Sequence, residues 1–408
     1  MAKTFKFGEN GKWATKTGSS MAFNDQNDNF KPMPFSVTRD SIATRVNKQG
    51  LIEVVGKDKL RIDYTDSSKG VALLEPARTN LNTLSDPTDA QKGSTSYASV
   101  TYQDNFNWGL GSVLENAIVF GDNSTTRYAY YSSTVSSGTV YSLSFFIKMD
   151  DNSVPIPATD FLLVLAGTSI ASGYTIDNYG NNIYRVSVSG TAGASNTANG
   201  ILKVASHSAK TFKITGFQIE ASSYATSYIP TSGATSQRQA DVANGAGNSE
   251  VFNDSEGVLY ANISALANDG TFRYIGIFDE QTSNVDRLQI YYRPDDNKIS
   301  FLIEENNVNR FVQTLDVKTI QYNKCALQYG NTSSVYINGF KLAEESGITI
   351  PNNLQRLSFN EQDGSNNFYG KTKEIGVYDA VLTDAELEAL TSYTSFTNMA
   401  NELNLTIK

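Results

Sequence analysis

One histidine, His207, and one cysteine, Cys325, are the chain's whole stock of imidazole and thiol. That narrows its chemistry at once. A Ser-His-Asp arrangement would have to be built on "ASHSAK", where His207 reads as a loop or turn residue between two strands. A histidine-rich metal site has no ligands to draw on. Paired carboxylates suffice for glycoside hydrolysis, and 42 Asp and Glu leave that chemistry open. The adjacent pairs Glu304-Glu305 and Asp295-Asp296 point opposite ways in an extended segment and read as solvated edge charges. No phosphate loop or dinucleotide fingerprint occurs. In "NEQDGSNN" (360–367), Asp363 and Asn366 offer oxygen ligands on a loop, a weak calcium candidate that is not an EF-hand and reads more readily as a plain polar turn. No other cofactor is expected.

Recognition without turnover is what these residue types suit. A sugar presents an apolar face and hydroxyl edges, which match exposed aromatics and amides. Tyr130, Trp108, Tyr291 and Tyr292 are the candidate contacts. Neighbours in a strand face opposite ways, so of Tyr291 and Tyr292 at most one is a contact and the other is core.

The elements that must position these residues are strands. "KLRIDYT" and "KTFKITGFQIEAS" alternate apolar and polar residues, and "YTIDNYGNNIYRVSVSG" and "DRLQIYYRPDDNKISFLIEE" read as hairpins. Short strands at such spacing indicate an all-β chain of two β-sandwich domains in tandem, jelly-roll and lectin-like. The expected divisions are an extended arm (1–40), a first sandwich (41–243), a Gly/Asn linker (244–257), a second sandwich (258–395) and a tail (396–408). One short helix is expected in "LTDAELEALTS", where Thr383 and Glu386 form a capping box. Phe5, Phe7 and Trp13 stand singly among polar residues, as side chains that would fill pockets on another protein.

A net charge of −9 argues against nucleic acid and anionic membranes as partners. No run of about 18 apolar residues is present to insert in a membrane. The start "MAKTFKFGENGKW" lacks a signal-peptide core, and a single cysteine suits folding in a reducing cytoplasm.

Three phrases in order, "ATRVNKQGLIEVV", "DYTDSSKGVALLEPARTNL" and "GFQIEASSYATSYIPTSGATSQRQAD", resemble a module of bacteriophage virion appendages, found in tail and head fibres. Its jelly roll is similar to carbohydrate-binding modules. The closing "KEIGVYDAVLTDAELEALTS" resembles the end of concanavalin A-like, laminin G-like sandwiches. The resemblance implies a virion structural protein made in the bacterial host cytoplasm. It implies a homotrimer joined to capsid or tail proteins through the N-terminal arm, with Phe5, Phe7 and Trp13 as anchor. Host-glycan adhesion would be its task. A polysaccharide depolymerase on the same scaffold and a ligand-free capsid decoration protein are the alternatives. Arg78 in "EPARTN" and Asp241 are candidate ends of an ion pair.

Overall fold

The computed structural model describes residues 4–8, 11–21, 23–24, 32–131, 133–195, 198–279, 286–361, 363–403 and 405–407. The described chain is almost wholly antiparallel β-structure, as the alternation requires. It forms two compact units, each assembled from separate pieces of sequence. The first comprises 1–40, 56–76 and 240–408, and the second 41–55 and 77–239. The expected division at 244–257 is therefore replaced by four crossings, after Asp40, Val55, Pro76 and Gln239.

In the first unit a nine-stranded and a five-stranded sheet contribute to one core. In the larger sheet, Gly257–Ala265 lies between Asn323–Tyr329 and Gly370–Tyr378. Leu259, Ala261 and Ile263 enter the core, whereas Val258 and Tyr260 face the other way, onto Leu387. In the smaller sheet the hairpin Arg287–Tyr292/Lys298–Glu305 pairs Tyr292 with Ile299, and Asn297 takes φ +52° in its turn.

The expected arm belongs to this unit. Thr4–Phe7 pairs with Gly370–Tyr378, setting Phe5 opposite Val377, and both Phe5 and Phe7 are buried in the core. Trp13 is half-buried against Phe7, edge to face at 4.7 Å. Phe5 and Phe7 are thus core residues of their own chain. A four-residue strand is too short to show a period without its partner, so these residues read as isolated. The expected linker is also core: Ala246, Val251 and Phe252 are buried there. Gly247, at φ +85°, lets the chain wrap Phe252, whose ring would lie 2.3 Å from a Cβ at that position.

Four buried charges join the pieces of this unit. Arg39 Nη1 donates to Asp241 Oδ1 at 2.7 Å, and Arg61 Nη1 to Glu75 Oε2 at 2.6 Å. Arg61 Nη2 closes the set on Asp241 Oδ2, which also accepts from the Glu75 backbone N–H at 2.9 Å. Arg39 further donates to the carbonyls of Gly56 and Lys59. Two cations and two anions balance, and each is supplied from beside a different crossing. Burial opposes both guanidinium charges. For Arg61, Asp241 and Glu75 more than offset burial and raise the pKa, while for Arg39 burial prevails and lowers it. The expected partner of Asp241 was Arg78. Asp241 instead pairs with Arg39 and Arg61, and Arg78 lies over the Tyr224 ring at 5.6 Å.

In the second unit a six-stranded and a five-stranded sheet enclose a core from both, including Phe145, Ile147 and Ile214 of one and Tyr131, Leu163 and Ile201 of the other. The stretch 222–241 is fastened by side chains to the turn after Glu75. Asn80 Nδ2 donates to Ile229 O at 2.9 Å, and Tyr228 Oη shares a 2.7 Å bond with Ser85. Arg238 donates to the hydroxyls of Thr226 and Ser227. Thr226, Ser227 and Tyr228 of that stretch are thus engaged as hydrogen-bonding side chains.

The first helix, Asp384–Thr391, carries the expected capping box in full, with Thr383 accepting from Glu386 N–H and Glu386 bonding back. A second helix, Phe396–Glu402, occupies the expected tail, capped by Ser395. Phe396, Met399, Ala400 and Leu403 recur at i, i+3, i+4 and i+7, an apolar helical period within the expected tail. Among the described residues no helix is long and apolar enough to cross a membrane.

Asp241→Ala leaves Arg39 and Arg61 buried with one carboxylate fewer. It should cost the first unit about 3–5 kcal/mol in chemical denaturation. A loss like that of a surface pair would contradict a structural role. Thr383→Ala should cost the same unit about 1 kcal/mol, read in the same titration.

Candidate functional site

The outer face of the five-stranded sheet in the second unit carries an aromatic pair. Strand Arg127–Tyr131 sends Ala129 and Tyr131 into the core and turns Tyr128 and Tyr130 outward. Their rings stack at 4.7 Å, 25° from parallel, and both are half-buried. Across the sheet Tyr130 pairs with Gly200, which pairs with Val164, while Tyr128 pairs with Leu202 and that with Leu162. Gly200 is required here. A Cβ would stand 2.0 Å from Ala129 O. No side chain therefore separates Tyr130 from Val164 on that row. Among the described residues neither phenol has a hydrogen-bond partner. Burial, and then the neighbouring Tyr128, raise the Tyr130 pKa above its ordinary value, so the phenol remains a neutral donor and acceptor. A flat, partly desolvated ring pair with hydroxyls at its edge suits stacking of a polyhydroxylated ring.

The other aromatic candidates lie elsewhere. Trp108 is 1% exposed and donates its Nε1–H to Asn116 O at 3.0 Å, so it is a core residue. Tyr292 is also core, its hydroxyl donating to Ile263 O at 3.0 Å. Tyr291 occupies the opposite face, as alternation requires, but is only 8% exposed, stacked on Tyr274 at 4.5 Å beside Phe272 and Leu302. Alternation gives one face of each strand to the core, whatever aromatics it carries. The signal that singles out Tyr130 is the i, i+2 partner Tyr128, with a glycine on the adjacent strand.

The chemical candidates are engaged by their own surroundings. Asp363 accepts from Ser365 N–H at 2.8 Å, its pKa lowered by the Ser365 side chain and then by that backbone bond, and Asn366 donates to Glu361 at 2.8 Å. Among the described residues no three His, Cys, Asp or Glu side chains gather as a metal site would need. His207 Nδ1 accepts from Val204 N–H at 3.1 Å, and Ser208 bonds directly to Asp160 at 2.5 Å. Cys325 is buried, and burial raises its pKa.

No protein-family model matches the chain, and no curated protein sequence matches it. Among solved structures, the CBM40 of the Ruminococcus gnavus IT-sialidase bound to α2,3-sialyllactose is similar at 16% identity. That match covers 36% of this chain and 94% of that one, with a TM-score of 0.31. Domain 4 of a GH43 extracellular arabinanase from Geobacillus stearothermophilus, in complex with arabinotriose, aligns at 12% identity over 41% of this chain and 82% of that one, TM-score 0.31. The leech intramolecular trans-sialidase aligns at 17% identity over 38% of this chain and 27% of that one, TM-score 0.31. Likenesses of this degree carry no ligand or activity across. The class of this protein, an all-β chain of sandwich sheets, rests on its own strands.

Burial, then the charge of Lys203, lower the pKa of His207. The unfolded imidazole takes its proton near 6.5, the folded one only at lower pH. Stability from this residue is thus complete above about pH 6.5 and is lost as pH falls. Calorimetric melting should drop more for the native protein than for His207→Gln between about pH 7.5 and 5.5. Parallel drops would contradict the assignment.

Proposed function

We propose that the protein is a glycan-binding structural component of a bacteriophage particle, a fibre or appendage that adheres to the host surface without chemical turnover. The observation that carries the binding half is the stacked, half-buried pair Tyr128–Tyr130 beside Gly200. The virion half rests on the three ordered phrases and their resemblance to phage appendage proteins. Trimeric assembly and attachment to capsid or tail proteins follow from that resemblance. Attachment would use surfaces other than Phe5 and Phe7, which are committed to the core. Each aromatic contact is weak, and several copies on one particle give avidity without any further contact.

Tyr130→Ala should leave the melting temperature nearly unchanged and weaken adsorption of the purified protein to host cells by about tenfold, since stacking on one ring contributes roughly 1–2 kcal/mol. Unchanged adsorption would remove the platform. Release of oligosaccharide from host capsule, abolished by a single Asp or Glu substitution, would replace this reading with the depolymerase. Silence on a broad glycan array would favour the decoration protein.

A further inference from the structure

The first unit holds a polar cleft that the tyrosine platform does not involve. Its floor is the outer face of the larger sheet. There, Asn262 pairs across the strands with Lys324 on one side and Glu374 on the other, making a polar row three strands wide. The same face is apolar one step away, where Val258, Tyr260 and Ala326 lie beneath the first helix. Beyond Glu374 the register shifts at Lys373, the bulged residue, whose Nζ lies 3.8 Å from the Tyr322 ring centre. Lys69 and the 66–70 turn form one wall, and Asn398 and Asn401 of the second helix another. The cleft encloses about 380 Å³. That is toward the low end of roughly 300–1,000 Å³ for small-ligand sites, room for one or two sugar rings.

Two features mark it as a binding site. Asn262 is only 5% exposed, yet its Oδ1 has no hydrogen-bond partner among the described residues. A buried acceptor left unsatisfied is costly, and a ligand donor would repair it. The second feature is charge. Among the described residues Lys69, Lys324 and Lys373 line the cleft with the carboxylates of Asp66 and Glu374; Asp66 is paired with Lys371, and Lys324 Nζ also donates to the Ser392 carbonyl at 2.7 Å. Positive charge is thus in local excess on a chain of net charge −9.

We propose that this cleft binds a carboxylated sugar unit of an acidic polysaccharide. The ammonium groups of Lys324 and Lys373 meet the carboxylate, and Asn262, Asn398 and Asn401 meet the hydroxyls. Amides and hydroxyls in this number, with no arginine in the lining, match a sugar acid better than a bare phosphate.

The test is calorimetric titration of the full chain with trigalacturonate and its methyl ester, and with sialyllactose and lactose. These arms separate a uronate from a nonulosonate. At least one acid should bind, with its neutral counterpart about tenfold weaker. Lys324→Gln and Asn262→Ala should each weaken that binding about tenfold, and Asn262→Ala should melt no lower than the native protein, because its Oδ1 has no bond to lose. The proposal is overturned by any of four results: equal affinity for acid and neutral sugar, inorganic phosphate competing as well as the sugar acid, unchanged binding by Asn262→Ala, or no binding of any acid at roughly 10 mM. The inference shares with the adhesion reading only the class of ligand. Its lining lies wholly in the first unit, so failure of the Tyr130 platform leaves this titration unaffected.

Discussion

Two guanidiniums and two carboxylates, sealed from water, hold the first unit to its discontinuous path. Arg39, Arg61, Glu75 and Asp241 come from segments far apart in sequence, and each would be costly to bury alone. Together they neutralise one another, and Arg39 donates further to the carbonyls of Gly56 and Lys59. Geometry of this kind specifies which segments meet more sharply than apolar contact does. A greasy strand tolerates many neighbours, whereas a forked guanidinium needs its carboxylate within about 3 Å. The strands Arg61–Asp63 and Val71–Leu74 are thereby committed to the sheet of Gly370–Tyr378.

Once the sheets are set, function depends on what their outer faces carry. Each strand spends alternate residues on the core and leaves the others to a helix, a ligand or water. Along Gly257–Ala265 the outer residues pass from Val258 and Tyr260 under the first helix to Asn262 in the polar cleft. Along Arg127–Tyr131 they are the tyrosines of the platform. Both candidate surfaces use rigid sheet positions, where backbone hydrogen bonds fix the side-chain direction and little ordering remains to oppose binding.

Alternation made much of this legible in the sequence. The 287–305 hairpin, with Tyr291 and Tyr292 on opposite faces, follows from period two alone, and the capping box of Thr383 and Glu386 is local chemistry. What was hidden is long-range. Phe5 and Phe7 belong to a strand whose partner lies some 370 residues onward at 375–378, and no local pattern marks that pairing. The Gly- and Asn-rich 244–257 segment reads as a linker because its burial rests on only a few side chains, Phe252 chief among them. The role of Trp108 depends on a carbonyl eight residues away that turns its polar edge inward. The polar cleft combines residues from six separate stretches, each unremarkable alone.

Native-state hydrogen exchange of the full chain, followed by mass spectrometry at low denaturant, reports most directly on which segments share a core. Amides of Phe35–Thr38, Arg61–Asp63 and Val71–Leu74 should become exposed in the same opening as Gly257–Ala265 and Gly370–Tyr378. Exchange of the three early strands at far lower denaturant, as a fraying arm would show, would contradict a first unit joined by its buried charges.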